Sequence, residues 1–310
     1  MTHNTVLIDM NSIGNAANST ARLTVGDMEV QAVFGVIRTL RGILATYSGW
    51  RIWCLWDGQR ETSWRKGVLP EYKANRDAKS PAEQAKKDAY RHQVKLLRQI
   101  LPYLGLRQLL VTSAEADDCA GYLTRQIRAN GGSVVLITGD KDWLQLVQKD
   151  VLWIDPINDR RVSHTDFLDK TGYFTPFEFL QGKALQGDTS DNVPGVGGIG
   201  EKGAIELLAK YRSVENFLAK YDADPKSIKG KKFTDFASSP AARAAFERNM
   251  KLMNLIDAQK PPAADVNITR GKFSQDAFRK IAERLAFRSI TVDVDRFIRP
   301  FRENADATTA

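Results

Sequence analysis

Short runs of consecutive apolar residues, most of them ending at an acid, alternate along this chain with longer stretches whose apolar positions recur every three or four residues. The first pattern suits a strand buried on both faces, and the second an amphipathic helix. Residues 5–8 (Thr-Val-Leu-Ile) predict a strand ending at Asp9, and Val30, Val33, Phe34, Ile37, Leu40, Ile43 and Leu44 place a helix over about 28–47. Further strands are expected at 51–56, ending at Asp57-Gly58, and at 106–111, with a helix between them over about 83–103. Ala116, Cys119, Ala120, Leu123 and Ile127 start a helix near Glu115 that stops at Gly131-Gly132, and strands follow at 133–138 and 151–154. This alternation predicts an α/β fold, a mostly parallel central sheet with helices on both faces.

Beyond residue 175 the strand pattern fades, and helices are expected at about 177–185, 203–211, 213–220, 240–256 and 274–287, with Pro261-Pro262 as an interruption and 303–310 as a frayed polar tail. The chain accordingly divides into an α/β region over 1–178 with a basic insertion at about 60–91, a helical region over 179–257, and an extension over 258–310 that packs back on the core.

Composition narrows the function. No apolar run approaches the roughly 18 residues that cross a bilayer, and the first residues lack the basic, then apolar, make-up of a signal peptide. Cys54 and Cys119 lie far apart in apolar surroundings and read as buried free thiols, which together with the missing leader predicts a cytoplasmic protein. His3, His92 and His164 are scattered without metal-ligand spacing, which argues against Ser/His/Asp or Cys/His catalysis. The formal charge of +8 favours a polyanionic partner.

That excess of base coexists with tight groups of acids. Asp9, Asp57, Asp117 with Asp118, and Asp140 with Asp142 each follow an expected strand or open the next helix. In an open parallel sheet the carboxyl ends of the strands share one edge, where the ligand crevice lies. Any one of these acids, like Glu115 at its helix start, could be an ordinary cap, and Asp188 and Asp191 could occupy a turn. As a set they would repel one another unless cations intervene, and Mg²⁺ or Mn²⁺ prefers such oxygen ligands. Two ions so held can activate water and stabilise a leaving oxygen on phosphorus, with no protein nucleophile.

Two other segments point to nucleic acid. Residues 193–204 carry Gly195, Gly197, Gly198 and Gly200 before Lys202, a Gly-hydrophobic-Gly hairpin that resembles a helix-hairpin-helix, gripping a DNA backbone without reading sequence. Across 60–91, Arg65, Lys66, Lys73 and Arg76 surround Trp64 and Tyr72; this run is either a solvated charged face or a surface for single strands, where aromatic stacking joins cationic backbone contacts.

Taken in order, Asp9, Trp56-Asp57-Gly58, residues 70–76 (Pro-Glu-Tyr-Lys-Ala-Asn-Arg), Glu115-Ala116-Asp117-Asp118, Gly139-Asp140-Lys141-Asp142 and residues 187–192 (Gly-Asp-Thr-Ser-Asp-Asn) resemble the motifs of the 5′-nuclease superfamily. Its members include bacteriophage 5′–3′ exonucleases, flap endonucleases and the 5′-nuclease domain of bacterial DNA polymerase I. The likeness spans about residues 5–255, and a free-standing phage-type enzyme is the nearest parallel. It implies a PIN-like/5′-nuclease fold with a helical arch insertion and a helical C-terminal helix-hairpin-helix domain. It also implies structure-specific cutting of DNA near 5′ ends, flaps or nicks by a monomer, in replication or repair, with RNA primers as a further substrate.

By the same resemblance Asp9, Asp57, Glu115, Asp117 and Asp118 form a tighter metal site, and Asp140, Asp142, Asp188 and Asp191 supply the rest, some through water. Lys73 and Arg76 stand at the foot of the arch to hold the scissile phosphate, Lys183 matches a basic family position, and Tyr72 stacks on a terminal base. The glycine hairpin binds duplex, with K⁺ on the backbone carbonyls of Val196 and Ile199. One departure is that residues 10–16 lack the arginine many relatives carry after the first acid. A PIN-type ribonuclease is the alternative within this chemistry, and a non-catalytic DNA-structure-binding protein the alternative outside it.

Overall fold

The computed structural model describes residues 4–59, 63–77 and 80–309. The chain opens with β1 (Thr5–Asp9), which runs straight into α1 (Met10–Asn18), followed by a small hairpin of β2 (Thr24–Val25) and β3 (Met28–Glu29), then α2 (Gln31–Thr46). After β4 (Arg51–Trp56) come the short α3 (Trp64–Val68), a 3₁₀ turn at Ala74–Arg76 and the long α4 (Pro81–Ile100). Next are β5 (Arg107–Val111), α5 (Ala116–Ala129), β6 (Val134–Ile137), a 3₁₀ segment at Lys141–Leu146, β7 (Val151–Asp155) and β8 (Arg160–Val162). The helices α6 (Phe167–Thr171), α7 (Pro176–Gln186), α8 (Glu201–Tyr211), α9 (Val214–Ala223), α10 (Lys231–Ser238) and α11 (Pro240–Met253) follow. The last part holds β9 (Val266–Thr269), α12 (Gln275–Arg284), α13 (Arg288–Thr291) and α14 (Val294–Thr309).

Seven strands form the main sheet in the order β8-β7-β6-β1-β4-β5-β9. The inner five run parallel, and β8 and β9 close the edges antiparallel. Because side chains alternate across a strand, Leu7, Leu55 and Leu136 join the core on one face, with Trp143, α7 and α8, while Val6, Ile8, Cys54 and Ile137 join the other, with α1, α2, α4 and α14. The parallel register sets Ile8 beside both Cys54 and Ile137. The residues just beyond these positions therefore emerge on one edge, which is what gathers the acids.

Some elements differ from the expected pattern. The segment 303–310, expected to fray, lies largely within α14, whose Val294, Ile298 and Phe301 are buried at helical spacing. Residues 10–18 form a helix because Asp9 caps it, and Met10, Ile13 and Ala17 fall on one buried face. The edge strands β8 and β9 are short and largely exposed, so they lack the apolar runs that mark the inner strands. The expected division at 178 falls within α7.

Candidate active site

Asp9 ends β1 and caps α1: its Oδ1 accepts the Ser12 N–H at 2.9 Å and its Oδ2 the Thr138 hydroxyl at 2.8 Å. Asp57 follows β4, and its Oδ1 accepts the Ala116 N–H at 2.9 Å, which ties it to the start of α5. Gly58 makes that approach possible. Its N–H bonds Ala114 O at 2.9 Å, and an added Cβ would press into the carbonyl oxygens of Val111, Thr112 and Ala114. Glu115 caps α5 in a capping box with Asp118, whose Oδ2 accepts the Glu115 N–H at 3.0 Å. Asp117, one step round the helix, accepts the Trp143 indole N–H at 2.7 Å. Asp140, beyond β6, accepts the Asp142 N–H at 2.8 Å.

The second group of acids comes from the α7–α8 connection. Asp188 and Val193 exchange backbone hydrogen bonds of 2.8 Å each way, closing a tight loop that carries Asp191. Gly187 stands before it at φ 74°, a left-handed conformation that suits glycine, with Val193 O against the place of a Cβ. Residues 71–76 lock onto this loop: Asn192 Nδ2 donates to Glu71 O and Asn75 Nδ2 to Thr189 O, both at 2.8 Å, and Arg76 pairs with Asp191. Lys73 donates its N–H to Asp191 O at 2.9 Å while held at φ 57°, an unusual conformation for lysine.

These loops bring cations of the chain itself among the acids. Lys73 Nζ lies 2.7 Å from Glu115 and 3.7 Å from Asp191, and Lys183 Nζ lies 2.9 Å from Asp142 and 3.2 Å from Asp188. The Tyr72 hydroxyl sits 2.9 Å from Asp191 and 3.1 Å from Glu115. Arg65 grips Asp118 through two hydrogen bonds of 2.6 and 2.9 Å and donates a third to Leu252 O. Two expectations are thereby corrected: Arg65 is buried in an ion pair and offers DNA no surface, and Tyr72 is buried with its hydroxyl committed to carboxylates, so it presents no face for base stacking. Both Asp118 oxygens accept from Arg65, so Asp118 would have to give up that pairing to reach a metal ion.

The electrostatics follow these pairings except at Asp142, which burial raises even though Lys183 stands beside it. Burial pushes Asp9 up to about 6, with Asp57 adding to the effect. Asp57, Asp117 and Asp140 are also raised, first by removal from water and then by neighbouring acids, although Asp57 and Asp140 still reach solvent at the mouth of the cleft. Burial would raise Glu115 and Asp188 too, yet Arg65 and Lys73 hold the first, and Lys183 the second, below the ordinary range. Among the described residues no ion pair reaches Asp9, Asp57, Asp117 or Asp140, and no three acidic, histidine or cysteine side chains converge tightly enough to hold one ion. A crowded set of carboxylates with raised proton affinity is nevertheless a donor set that a hard divalent cation relieves. The residues fit such ions in kind, with Lys73 and Lys183 standing among the acids that would have to turn toward them.

Tyr90 on α4 went unnoticed in the sequence. Its hydroxyl is buried beside Gly14, has no hydrogen-bond partner among the described residues, and feels the charges of Asp9 and Asp57. Nothing in the polar first half of α4 distinguishes it. Thr138 and Trp143 were missed as well, since partnership with an acid leaves no mark on periodicity.

The other expected residues lie apart from the cleft. Lys66 is half-buried on α3. In the hairpin Gly195, Gly197, Gly198 and Gly200 are exposed, Gly197 and Gly198 are left-handed, and Lys202 is exposed at the start of α8. Val196 and Ile199 point inward between them, and the Val196 carbonyl accepts the Ile199 N–H at 3.0 Å.

The sequence matches the 5′-3′ exonuclease N-terminal resolvase-like domain over residues 4–172 and the 5′-3′ exonuclease C-terminal SAM fold over residues 174–261. The chain belongs to the 5′-3′ exonuclease family. It is 29% identical over 268 residues to a 5′-3′ exonuclease of Aquifex aeolicus, covering 86% of each chain. It is also 30% identical over 269 residues to DNA polymerase I of Mycobacterium tuberculosis, covering 86% of this chain but 28% of that one. In fold it is similar to bacteriophage T5 5′-exonuclease with bound zinc ions, at a TM-score of 0.69 and 22% identity over 98% of this chain and 99% of that one.

Proposed function

We propose that this chain is a structure-specific 5′-nuclease that hydrolyses DNA phosphodiesters near 5′ ends or flap junctions, leaving 5′-phosphate and 3′-hydroxyl. One observation carries the reading: acids from β1, β4, α5, the β6 edge and the α7–α8 loop converge on one cleft beside basic residues of the insertion. Two Mg²⁺ ions, with Mn²⁺ able to substitute, would supply an activated water and stabilise the leaving oxygen there. Asp9, Asp57, Asp117 and Asp140 are the acids best placed to hold them, joined by Glu115, Asp142, Asp188 and Asp191 as Lys73, Arg76 and Lys183 exchange these partners for substrate phosphate. Arg65 and Asp118 keep Glu115 oriented from behind. The glycine hairpin holds the duplex through its backbone, with K⁺ on the Val196 and Ile199 carbonyls. The Aquifex relative's description as a 5′-3′ exonuclease, and that of a bacteriophage T5 flap endonuclease crystallised with DNA and metal ions, support this reading.

Labelled 5′-flap, nicked, single-stranded and RNA–DNA substrates, each tested with Mg²⁺ and with chelator, give the test. Cutting of flap and nicked DNA that stops with chelator is expected. Cutting confined to RNA would favour the ribonuclease alternative, and tight DNA binding without any cutting would leave a binding protein.

A further inference from the structure

Gln93 ties the long helix α4 to the first two helices of the chain: its Oε1 accepts the Ala32 N–H at 2.8 Å, and its Nε2 donates to Asn18 Oδ1 at 3.0 Å. Tyr90, on the same face of α4 one turn earlier, meets Gly14, on the same face of α1 one turn before Asn18. A Cβ on Gly14 would stand 2.5 Å from the Tyr90 hydroxyl oxygen, so the bare glycine is what seats the ring. Gly14 is itself buried, little more than one turn along the helix that Asp9 caps. The hydroxyl is buried where the charge of Asp9, and less strongly that of Asp57, reaches it. It has no hydrogen-bond partner among the described residues, while Asp9 turns its two oxygens to Ser12 and Thr138.

We infer that Tyr90 is a positioning residue of the metal centre, its hydroxyl donating to the Asp9 carboxylate when Asp9 and Asp57 hold a divalent cation. The inference rests on the metal-dependent nuclease reading above and adds a residue to that site. Three considerations carry it. A buried donor left without an acceptor costs free energy, and phenylalanine would fill the same space without that cost, so the hydroxyl has its use in another arrangement of its neighbours. The neighbours that a cation rearranges are the strand-end acids, and carboxylates that bind metal are ordinarily held in turn by protein hydrogen bonds. Finally, Tyr90 is neutral, so unlike Lys73 and Lys183 it can stand beside an acid without competing with a cation for its charge. Its seat on α4, fixed through Gln93, is also independent of the loop at 71–76 that carries Lys73.

The test titrates the full chain with Mn²⁺ in the absence of DNA and follows urea unfolding in chelator. Tyr90→Phe should weaken binding of the tighter ion by about tenfold, yet leave the metal-free protein as stable as wild type or more so. Gly14→Ala keeps the hydroxyl but displaces it, and should weaken Mn²⁺ binding in the same direction. Adding Mg²⁺ should produce a tyrosine ultraviolet difference signal that Tyr90→Phe lacks. Wild-type Mn²⁺ affinity in Tyr90→Phe, with or without a loss of metal-free stability, would reduce Tyr90 to packing and overturn the inference. If that occurs while the wild type cuts 5′-flap DNA with Mg²⁺, only the role of Tyr90 falls. If the wild type binds no Mn²⁺ at all, the metal-dependent reading of the cleft falls, and this inference with it.

Discussion

The carboxylate cleft has two halves that solve the same problem differently. Glu115, Asp118, Asp142, Asp188 and Asp191 each have a lysine or arginine of the chain within ion-pair distance. Asp9, Asp57, Asp117 and Asp140 have none among the described residues and rely on N–H and O–H donors, which offset only part of the burial and mutual repulsion. The cations that answer the first half come from the basic insertion and α7, whereas the acids of the second half stand just past strand ends and, for Asp117, in the first turn of α5. Self-neutralised acids stabilise the folded chain, and acids left repelling one another at a fixed place lower stability in exchange for function.

The largest expected effect separates the halves by activity. Asp57→Asn and Asp140→Ala should lower single-turnover cutting of a 5′-flap by about 10²-fold or more, while leaving the metal-free protein as stable as wild type or slightly more so. Wild-type cutting rates in both variants would end the assignment of these strand-end acids as the reacting centre. The paired half should respond in the opposite way. Arg65→Ala leaves Asp118 buried without its partner, and loss of one member of a buried pair costs about 3–5 kcal/mol. Urea unfolding in chelator measures this, and a loss below about 1 kcal/mol would show that the pair does not hold the insertion to α5 and α11.

How far the sequence revealed these halves depends on how local the causes are. Asp9, Asp57 and Asp140 were legible because an apolar run ending in an acid puts that acid on the edge of a parallel sheet wherever the strand sits in the order. Asp117 and Asp118 were not separable in this way. Successive helix residues point about 100° apart, and only the folded α5 shows Asp117 against Trp143 and Asp118 turned to Arg65. Arg65 and Tyr72 looked like surface groups because their burial depends on contacts with Asp118, Asp191 and Leu252, from 53 to 187 residues away. The helical signal of α14 was present at Val294, Ile298 and Phe301, but Pro300 and the polar residues after Phe301 obscured it.

A pH experiment sharpens the comparison at an intermediate level. Asp9 has its folded value raised to about 6, so the folded state holds a proton that the unfolded chain releases from about pH 4 upward. Stability of the metal-free protein should therefore fall as pH rises from about 4 to 6, by at most about 3 kcal/mol from this group. Glu115 and Asp188, with lowered values, act in the opposite sense and lose their contribution at the acid end, below about pH 4.5. Urea unfolding across this range should show the decline in chelator, a flatter profile in Asp9→Asn, and a gain in stability on adding Mg²⁺ that is larger at the upper end. A metal-free protein whose stability rises steadily to pH 7 would mean that the strand-end acids do not repel one another as the geometry implies.

The smallest effect lies away from both halves, in the glycine hairpin. Lys202 is exposed at the start of α8, two residues after Gly200, and has no ion pair among the described residues. If it meets one phosphate of the duplex, Lys202→Gln should weaken binding of nicked DNA severalfold and reduce the slope of log affinity against log salt by about 0.9, the value for one released counterion. The rate of cutting at saturating substrate should stay close to wild type, because the contact lies outside the cleft. Salt titrations of binding in chelator provide the measurement. An unchanged salt slope would place the duplex elsewhere on the chain and leave Gly197 and Gly198, left-handed and exposed, with only the turning of the backbone between α7 and α8 to account for them.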